Sequence, residues 1–326
     1  MPIFADDAPV AFSGTRLDWR DIPRPVRRRI SEMAGAQVTA ESAATSGFSP
    51  GYAAILEFAD GSEAFVKAVS SHQNPESPNL ARQEIEVNKV LPRQVKAPEL
   101  LWSHDDGEWI VSGFAAIHGY NPPAPWDPAD LERALGALAE LSEVVLEPTN
   151  PIRKNEVALE YPSWASLAAL EPTQLRTIAQ SWGEHGNWAV ENLDLLRQWE
   201  DGQEAALAGD RLAHADLRAD NIMFDHEDTW IIDWVWAAVG SPWADLALMM
   251  PSITLQGGGS AQDIFWSQPQ TKGVDPEQVR AAVSWLTAFF LSQSNKPAPE
   301  GIPNLRAFQL AQGVEALKWL RELAQG

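Results

Sequence analysis

The sequence predicts an α+β protein of two lobes, a small β-rich one followed by a larger, mostly helical one. Three observations predict it. Strand-like segments and a hairpin turn crowd the first third of the chain. Helical periodicities with N-terminal start signals fill the remainder, and a Gly- and Pro-rich stretch at 113–125 separates the two regions. A length of 326 residues exceeds one typical domain, and 45% hydrophobic residues can fill a large core.

Residues 1–15 read as a loose tail, 16–115 as the first lobe and 116–326 as the second. From Arg16 to Arg29 six arginines alternate with Leu17, Trp19, Ile22 and Val26, the pattern of a solvated helix face over an apolar underside rather than an anion-binding patch. Tyr52–Phe58 and Ala64–Val69 flank the turn signal Ala59-Asp60-Gly61-Ser62 and form a hairpin. A polar loop at 71–79 precedes a helix from Leu80 to Leu91, stopped by Pro92, and then a strand at Trp109–Val111. In the second lobe, Asp127-Pro128 and Asp275-Pro276 are helix starts, each with an N-cap acid and a proline in the first turn. A last helix follows Pro303 with Leu310, Val314, Leu317 and Leu320 as its apolar face, and residues 256–260 form a Gly-rich loop.

A net charge of -21 disfavours nucleic-acid partners, whose phosphates need positive surfaces. With no cysteine there is no disulfide scaffold, thiolate metal site or cysteine nucleophile. The N-terminus shows no basic region leading into an apolar run, and the longest apolar stretch, Val283–Leu291, is too short to span a bilayer; a cytoplasmic protein without membrane partners is expected.

Residues 211–247 carry the chemistry. His214, Asp216 and Asn221 lie in a polar run; an apolar strand, a charged turn at Asp225–Asp228 and a second apolar strand, Trp230-Ile231-Ile232, then deliver Asp233. A tight hairpin puts Asn221 and Asp233 at the same end. An amide beside a carboxylate suits a hard cation such as Mg²⁺. Asp216, five residues before Asn221, falls beside that cation, where a proton acceptor for an attacking hydroxyl belongs.

His-x-Asp-x-x-x-x-Asn, an apolar strand ending in Asp-Trp, then Gly-Ser-Pro and Asp-Leu-Ala resemble the aminoglycoside phosphotransferase and choline kinase family, a relative of the protein kinases. The resemblance implies a bilobal kinase-like fold and transfer of a phosphoryl group from ATP or GTP, with Mg²⁺, to a hydroxyl of a small molecule, with antibiotic resistance among the possible roles. It implies Asp216 as catalytic base, Asn221 and Asp233 as metal ligands, and His214 and Asp245 as supports of the catalytic loop. Lys67, ending Ala-Phe-Val-Lys, resembles the phosphate-binding lysine, and Glu84 on the next helix its partner. Gly47, Ser49 and Gly51 resemble the phosphate-covering loop; Ser112, Gly113, Phe114 and Ala115 resemble the hinge that reads the base. Two departures stand out. Ala215 replaces a usual glycine, a mild change if its φ is negative. Arg218-Ala219-Asp220 replaces His-Pro-Gly, giving Arg218 a choice between phosphate and solvent. Specificity in the family resides in helical-lobe segments, here 140–165 and 250–275. Candidates for the acceptor side are Arg218 and, among fifteen tryptophans, Trp236, Trp243 and Trp266.

Rival readings fare worse. Gly47-x-Ser49-x-Gly51 matches a hydrolase nucleophile elbow, yet Pro50 lacks the N–H an oxyanion hole needs. No Walker loop or zinc-protease spacing occurs. A protein kinase would carry Asp-Phe-Gly and Ala-Pro-Glu; here Asp233-Trp234-Val235 stands and no docking segment follows. A pseudokinase would be expected to lack one of Lys67, Asp216, Asn221 and Asp233, all present.

Overall fold

The computed structural model describes residues 16–44, 47, 50–157 and 163–325. The expected tail, Ser49 and residues 158–162 lie outside them. Among the described residues the first lobe holds helix α1 (Arg24–Ala34), strands β1 (Val38–Ala43), β2 (Tyr52–Phe58) and β3 (Glu63–Ser70), helix α2 (Ser77–Asn88), and strands β4 (Leu100–Asp105) and β5 (Trp109–Phe114). The five strands form one antiparallel sheet in the order β1-β2-β3-β5-β4. β2 and β3 are the expected hairpin: Phe58 N–H bonds the Ser62 carbonyl across the turn, and Asp60 accepts from Ser62 N–H. Val26 and Ile30 of α1 pack on this sheet with Leu56, Val66 and Trp109, leaving the helix arginines outward.

Three local differences from the sequence-based expectations have simple causes. Helix α2 begins at Ser77, within the supposed loop, because Pro78 occupies the first turn, where its missing N–H costs nothing. Strand β5 runs to Phe114, since it is held on both sides, by β3 and by β4, a strand with no clear alternation. In the last helix Leu310 and Val314 are only half-buried, and the face against the core includes Phe308, Ala311, Ala316 and Trp319.

The second lobe opens with α3 (Pro128–Leu141), capped by Asp127, which accepts from Ala129 N–H at 2.9 Å. Five short helices follow: α4 (Trp164–Ala168), α5 (Pro172–Ala179), α6 (Gly186–Glu191), α7 (Leu193–Glu200) and α8 (Gln203–Leu207). Two small antiparallel pairs come next. Strand β6 (Arg211–Ala213) pairs with β9 (Ala238–Gly240), and β7 (Ile222–Phe224) with β8 (Thr229–Ile231). Helices α9 (Ala244–Leu255), α10 (Ala261–Ser267), α11 (Pro276–Ser294) and α12 (Leu305–Leu323) complete the lobe. The α11 helix is buried on most of its circumference and forms the axis around which α4, α7, α8 and α12 pack. That burial accounts for its long apolar run, and no helix among the described residues is long and apolar enough to cross a membrane.

The lobes touch at several places that frame a cleft, among them Lys67 with Asp233, Ile231 N–H on the Lys96 carbonyl and the Asn150 amide on the Val90 carbonyl. Tyr120, on the connection out of β5, exchanges backbone hydrogen bonds with Phe224. On the other side the α11–α12 loop reaches back: Asn74 donates to the Glu300 carbonyl at 2.9 Å, and Gly301 lies against Pro50 and Gln73.

Candidate active site

Hairpin β7–β8 fixes the centre of the cleft. Its register pairs Ile222 with Ile231, and Ile232 N–H donates to the Asn221 carbonyl at 3.0 Å, so Asn221 and the following Asp233 emerge from the same end. The Asn221 amide nitrogen donates to the Asp216 carbonyl at 2.8 Å, which leaves its oxygen as the atom for a cation. Asp233 has φ +66°, a left-handed conformation that a non-glycine residue keeps only when its surroundings impose it. Two oxygen donors of different residues, both lining the cleft, fit a divalent ion that takes its other ligands from phosphates and water.

Asp216 lies on the loop between β6 and β7, and three more side chains join Asn221 in holding that loop. His214 is fully buried; its Nε2–H donates to the Ile232 carbonyl at 2.9 Å, its Nδ1 accepts from Asp216 N–H, and its ring meets Trp234 edge-on. Burial lowers its pKa and keeps it neutral. Asp245, in the first turn of α9, accepts from His214 N–H at 2.7 Å and Ala215 N–H at 2.8 Å. Arg218 is the third: Nη1 donates to the Asp216 carboxylate at 2.5 Å, and Nε and Nη2 grip Asp220 at 3.0 Å each. Arg218 therefore joins two carboxylates while bordering the wider of the two cavities of the cleft. Desolvation in the cleft, opposed by Arg218 and reinforced by Asp220 and Asp233, pushes Asp216 up to about 6, in the range suited to a general base near neutrality.

Ala215 departs from expectation. Its φ is +62°, in the left-handed region, so replacing the usual glycine there is not mild: it stores roughly 1–2 kcal/mol.

On the first-lobe side, Lys67 of β3 donates to Glu84 of α2 at 2.7 Å and to Asp233 at 3.0 Å. Burial works against the Lys67 ammonium, but the two carboxylates outweigh it and keep it charged. Burial raises Glu84 against the pull of Lys67, while Lys67 overcomes burial at Asp233 and holds that carboxylate low. Gly47 and Gly51 border this region; a Cβ on Gly51, φ +138°, would stand 2.9 Å from Ala68 O and Val69 Cγ1, so only glycine allows the close approach of β2 to β3.

The residues expected at the hinge lie at the end of β5. Ser112, Gly113 and Phe114 are ladder residues of β5, paired on both sides, and Ala115 N–H bonds the Glu99 carbonyl. Their backbone groups are engaged in the sheet. Among the described residues no backbone hydrogen bond engages Ala116 or Ile117, which follow directly. Ser112 lines the cleft through its side chain, and the Phe114 ring lies 5.8 Å from Lys67 Nζ.

Two cavities meet at this centre. The narrower, about 100 Å³, lies among Lys67, Glu84, Ile110, Ser112, Asn221 and Asp233. The wider, about 410 Å³, lies on the other side of Asp233 and includes Asp216, Arg218 and Trp236. Ser77, Leu80, Asp233 and Val235 border both. Trp243 and Trp266 border neither: Trp243 is 4% exposed against Phe265, and Trp266 packs on the same ring from α10. Of the two expected specificity segments, 140–165 contributes Asn155–Val157 to the wider cavity and 250–275 contributes nothing among the described residues.

One residue of the cleft escaped the sequence reading. Arg16 was grouped with the solvated arginines, yet it precedes α1 and is held by a parallel bridge to Gly51, with Leu17 N–H on the Gly51 carbonyl. Its guanidinium is half-buried in the narrower cavity, near the Gly47 carbonyl and within electrostatic reach of Asp233. Charge alternation along 16–29 gave no signal separating it from its neighbours.

The sequence matches the model of the phosphotransferase enzyme family over residues 47–283. No curated protein matches it. Among solved structures, a thermostable mutant of aminoglycoside phosphotransferase APH(4)-Ia, in ternary complex with ADP and hygromycin B, superposes with a TM-score of 0.56 at 13% identity, over 92% of this chain and 99% of that one. A choline kinase from Cryptosporidium parvum Iowa II gives 0.54 at 11% identity, over 96% and 94%. A choline/ethanolamine kinase family protein from Mesorhizobium loti gives 0.51 at 15% identity, over 92% and 97%. At these identities the likeness is one of fold.

Proposed function

The chain belongs to the phosphotransferase enzyme family, and from that premise we propose that it transfers the γ-phosphoryl group of a nucleoside triphosphate, in its adenine form, to a hydroxyl of a small molecule. The observation that carries this is the meeting of two cavities at Asp233, with a paired lysine on one side and an elevated carboxylate on the other. The narrower cavity is the nucleotide side. There Lys67, held forward by Glu84, and Arg16 present two cations to phosphate oxygens. Asn221 and Asp233 would hold Mg²⁺, which supplies charge neutralisation across the phosphates when bound.

The wider cavity is the acceptor side, and Asp216 borders it. Asp216 takes the proton of the acceptor hydroxyl as the hydroxyl oxygen bonds to the γ-phosphorus and the bond to the β–γ bridging oxygen breaks, releasing the diphosphate. Arg218 steadies the Asp216 carboxylate, while His214 and Asp245 fix the loop that carries it. The transition state is loose, so most of the acceleration comes from holding the two reactants in line.

The test uses Asp216→Asn. Calorimetry with Mg²⁺ and a non-hydrolysable ATP analogue is expected to give wild-type affinity. Turnover, read as ATP hydrolysis in the absence of acceptor, is expected to fall about 10²–10⁴-fold, the range of a lost general base. Unchanged turnover refutes the role given to Asp216.

A further inference from the structure

The lining of the wider cavity says what kind of alcohol it takes, given the phosphotransfer proposed above. The chain has 45 acidic residues, but among the described residues only three border this cavity. Two of them, Asp216 and Asp233, belong to the transfer machinery, and the third is Glu156, exposed at the rim. Among the described residues the one cation on this lining is Arg218, itself paired with Asp216 and Asp220. Three carboxylates against one guanidinium leave the lining net negative like the rest of the chain, so what sets this cavity apart is its walls rather than its charge.

The walls are aromatic and aliphatic. Successive turns of α11 contribute Trp285, Phe289 and Phe290, whose rings contact one another in series. Phe308 of α12 lies beneath the Arg218 guanidinium, and Trp236 stands opposite at 36% exposure. Phe289 and Phe290 are only half-buried, unlike the run from Ala281 to Ala288 that precedes them on the same helix, and both line the cavity. Leu305 and, in the α11–α12 loop, Ile302 extend this surface, and Asn74, which donates to the Glu300 carbonyl of that loop, borders it too. The uncharged polar groups are Ser77 and the amides Asn74, Gln83, Asn155, Gln309 and Gln312.

We infer that the acceptor is an alcohol with an extended apolar body bearing at most one positive charge, and not a polycationic amino sugar. A cavity of about 410 Å³ lies within the range of drug-sized ligand sites, and aromatic walls with a few convergent polar groups are their usual lining. A ligand with four or five ammonium groups would lose their hydration against these walls and find three carboxylates in exchange, two of them already engaged by Arg218 and Lys67. An apolar polycycle or macrocycle gains by the same transfer, while the amides orient its hydroxyl toward Asp216.

The experiment pairs two panels, uncharged or singly cationic polycyclic and macrocyclic alcohols against polycationic aminocyclitol glycosides. Phosphate transfer from Mg·ATP is read by mass spectrometry, and binding in the presence of Mg·ADP by thermal shift. The expected result is transfer to, or stabilisation by, members of the first panel with at least tenfold preference over the second. Phe290→Asp and Trp236→Ala should each weaken the productive alcohols about tenfold in KM or apparent Kd. Preference for a polycation, or no apolar alcohol binding at all, or binding indifferent to both substitutions, overturns the inference. Failure of the underlying phosphotransferase proposal registers elsewhere: the wild-type protein would then neither bind Mg·ATP nor hydrolyse it in an Asp216-dependent way.

Discussion

Replacing Arg218 tests the electrostatics of the catalytic loop directly. Its guanidinium lies between Asp216 and Asp220, with side-chain exposure of 14% against 9% for Asp220. Arg218→Gln removes the only cation of a largely buried triad, and breaking such a group by deleting one partner costs about 3–5 kcal/mol. At about 2–4 °C per kcal/mol for a chain of this order of size, the Tm falls by roughly 6–12 °C for the smaller value. A second effect falls on Asp216. An opposite charge this close depresses a carboxyl by about 1–3 units, so its removal lifts Asp216 from about 6 to above roughly 7. The active form of the base is the carboxylate. Activity therefore rises with pH through its pKa, and the acid limb of the profile moves upward in the variant. At pH 6 the variant should lose an additional factor of about five or more relative to pH 9. The assay is the pH dependence of kcat/KM, with calorimetric unfolding alongside. Arg218→Lys keeps the charge without the fork, so it should lose stability while its acid limb stays within about half a unit of wild type. An acid limb that does not move in Arg218→Gln refutes the coupling, whatever happens to the Tm.

Three further outcomes follow from named features. Ala215→Gly relieves a left-handed alanine, offset by the greater freedom of glycine in the unfolded chain; a net gain of about 0.5–1 kcal/mol is expected by denaturant unfolding, and a loss would mean that φ +62° carries no strain. Arg16→Ala should weaken Mg·ATP binding about tenfold by calorimetry with Arg16→Lys recovering part of it, as fits a lost charge-assisted contact; equal affinities would remove Arg16 from the nucleotide side. Glu200 is buried beneath α4, where it accepts from Trp164 N–H, and burial pushes its carboxyl up to about 7. Its folded pKa lies above the unfolded value near 4.3, so the stabilising contribution is present at low pH and disappears as pH rises through about 7. Glu200→Gln, which mimics the protonated form, should raise Tm at pH 8 and leave it little changed at pH 4, and a fall at pH 8 would show that the ionised form is the stabilised one.

The parts of this site that the sequence discloses are those whose partners are near in the chain. Asn221 and Asp233 are twelve residues apart across one tight hairpin, so a turn signal and two apolar strands suffice to bring them together. Lys67 and Asp233 are 166 residues apart, and only the likeness to a known pattern, not any local periodicity, proposed their meeting. Arg16, the aromatic ridge of α11 and the end of β5 had neither advantage. Arg16 is placed by a bridge to Gly51, Phe289 and Phe290 by what fails to cover them, and β5 by a fourth strand with no clear alternation. Ala215 shows the same rule within the best-read segment. Its neighbours identify the loop, but the sign of its φ depends on Asp245, thirty residues downstream. The N–H groups of His214 and Ala215 converge on that one carboxylate, and two successive N–H groups point the same way when one of the residues adopts the left-handed conformation. Asp245 is itself buried with its pKa raised, so releasing Ala215 to negative φ would leave a desolvated carboxylate short of a donor. Such a penalty matches or exceeds the roughly 1–2 kcal/mol stored in the alanine, which is why the strain persists in the loop that carries Asp216.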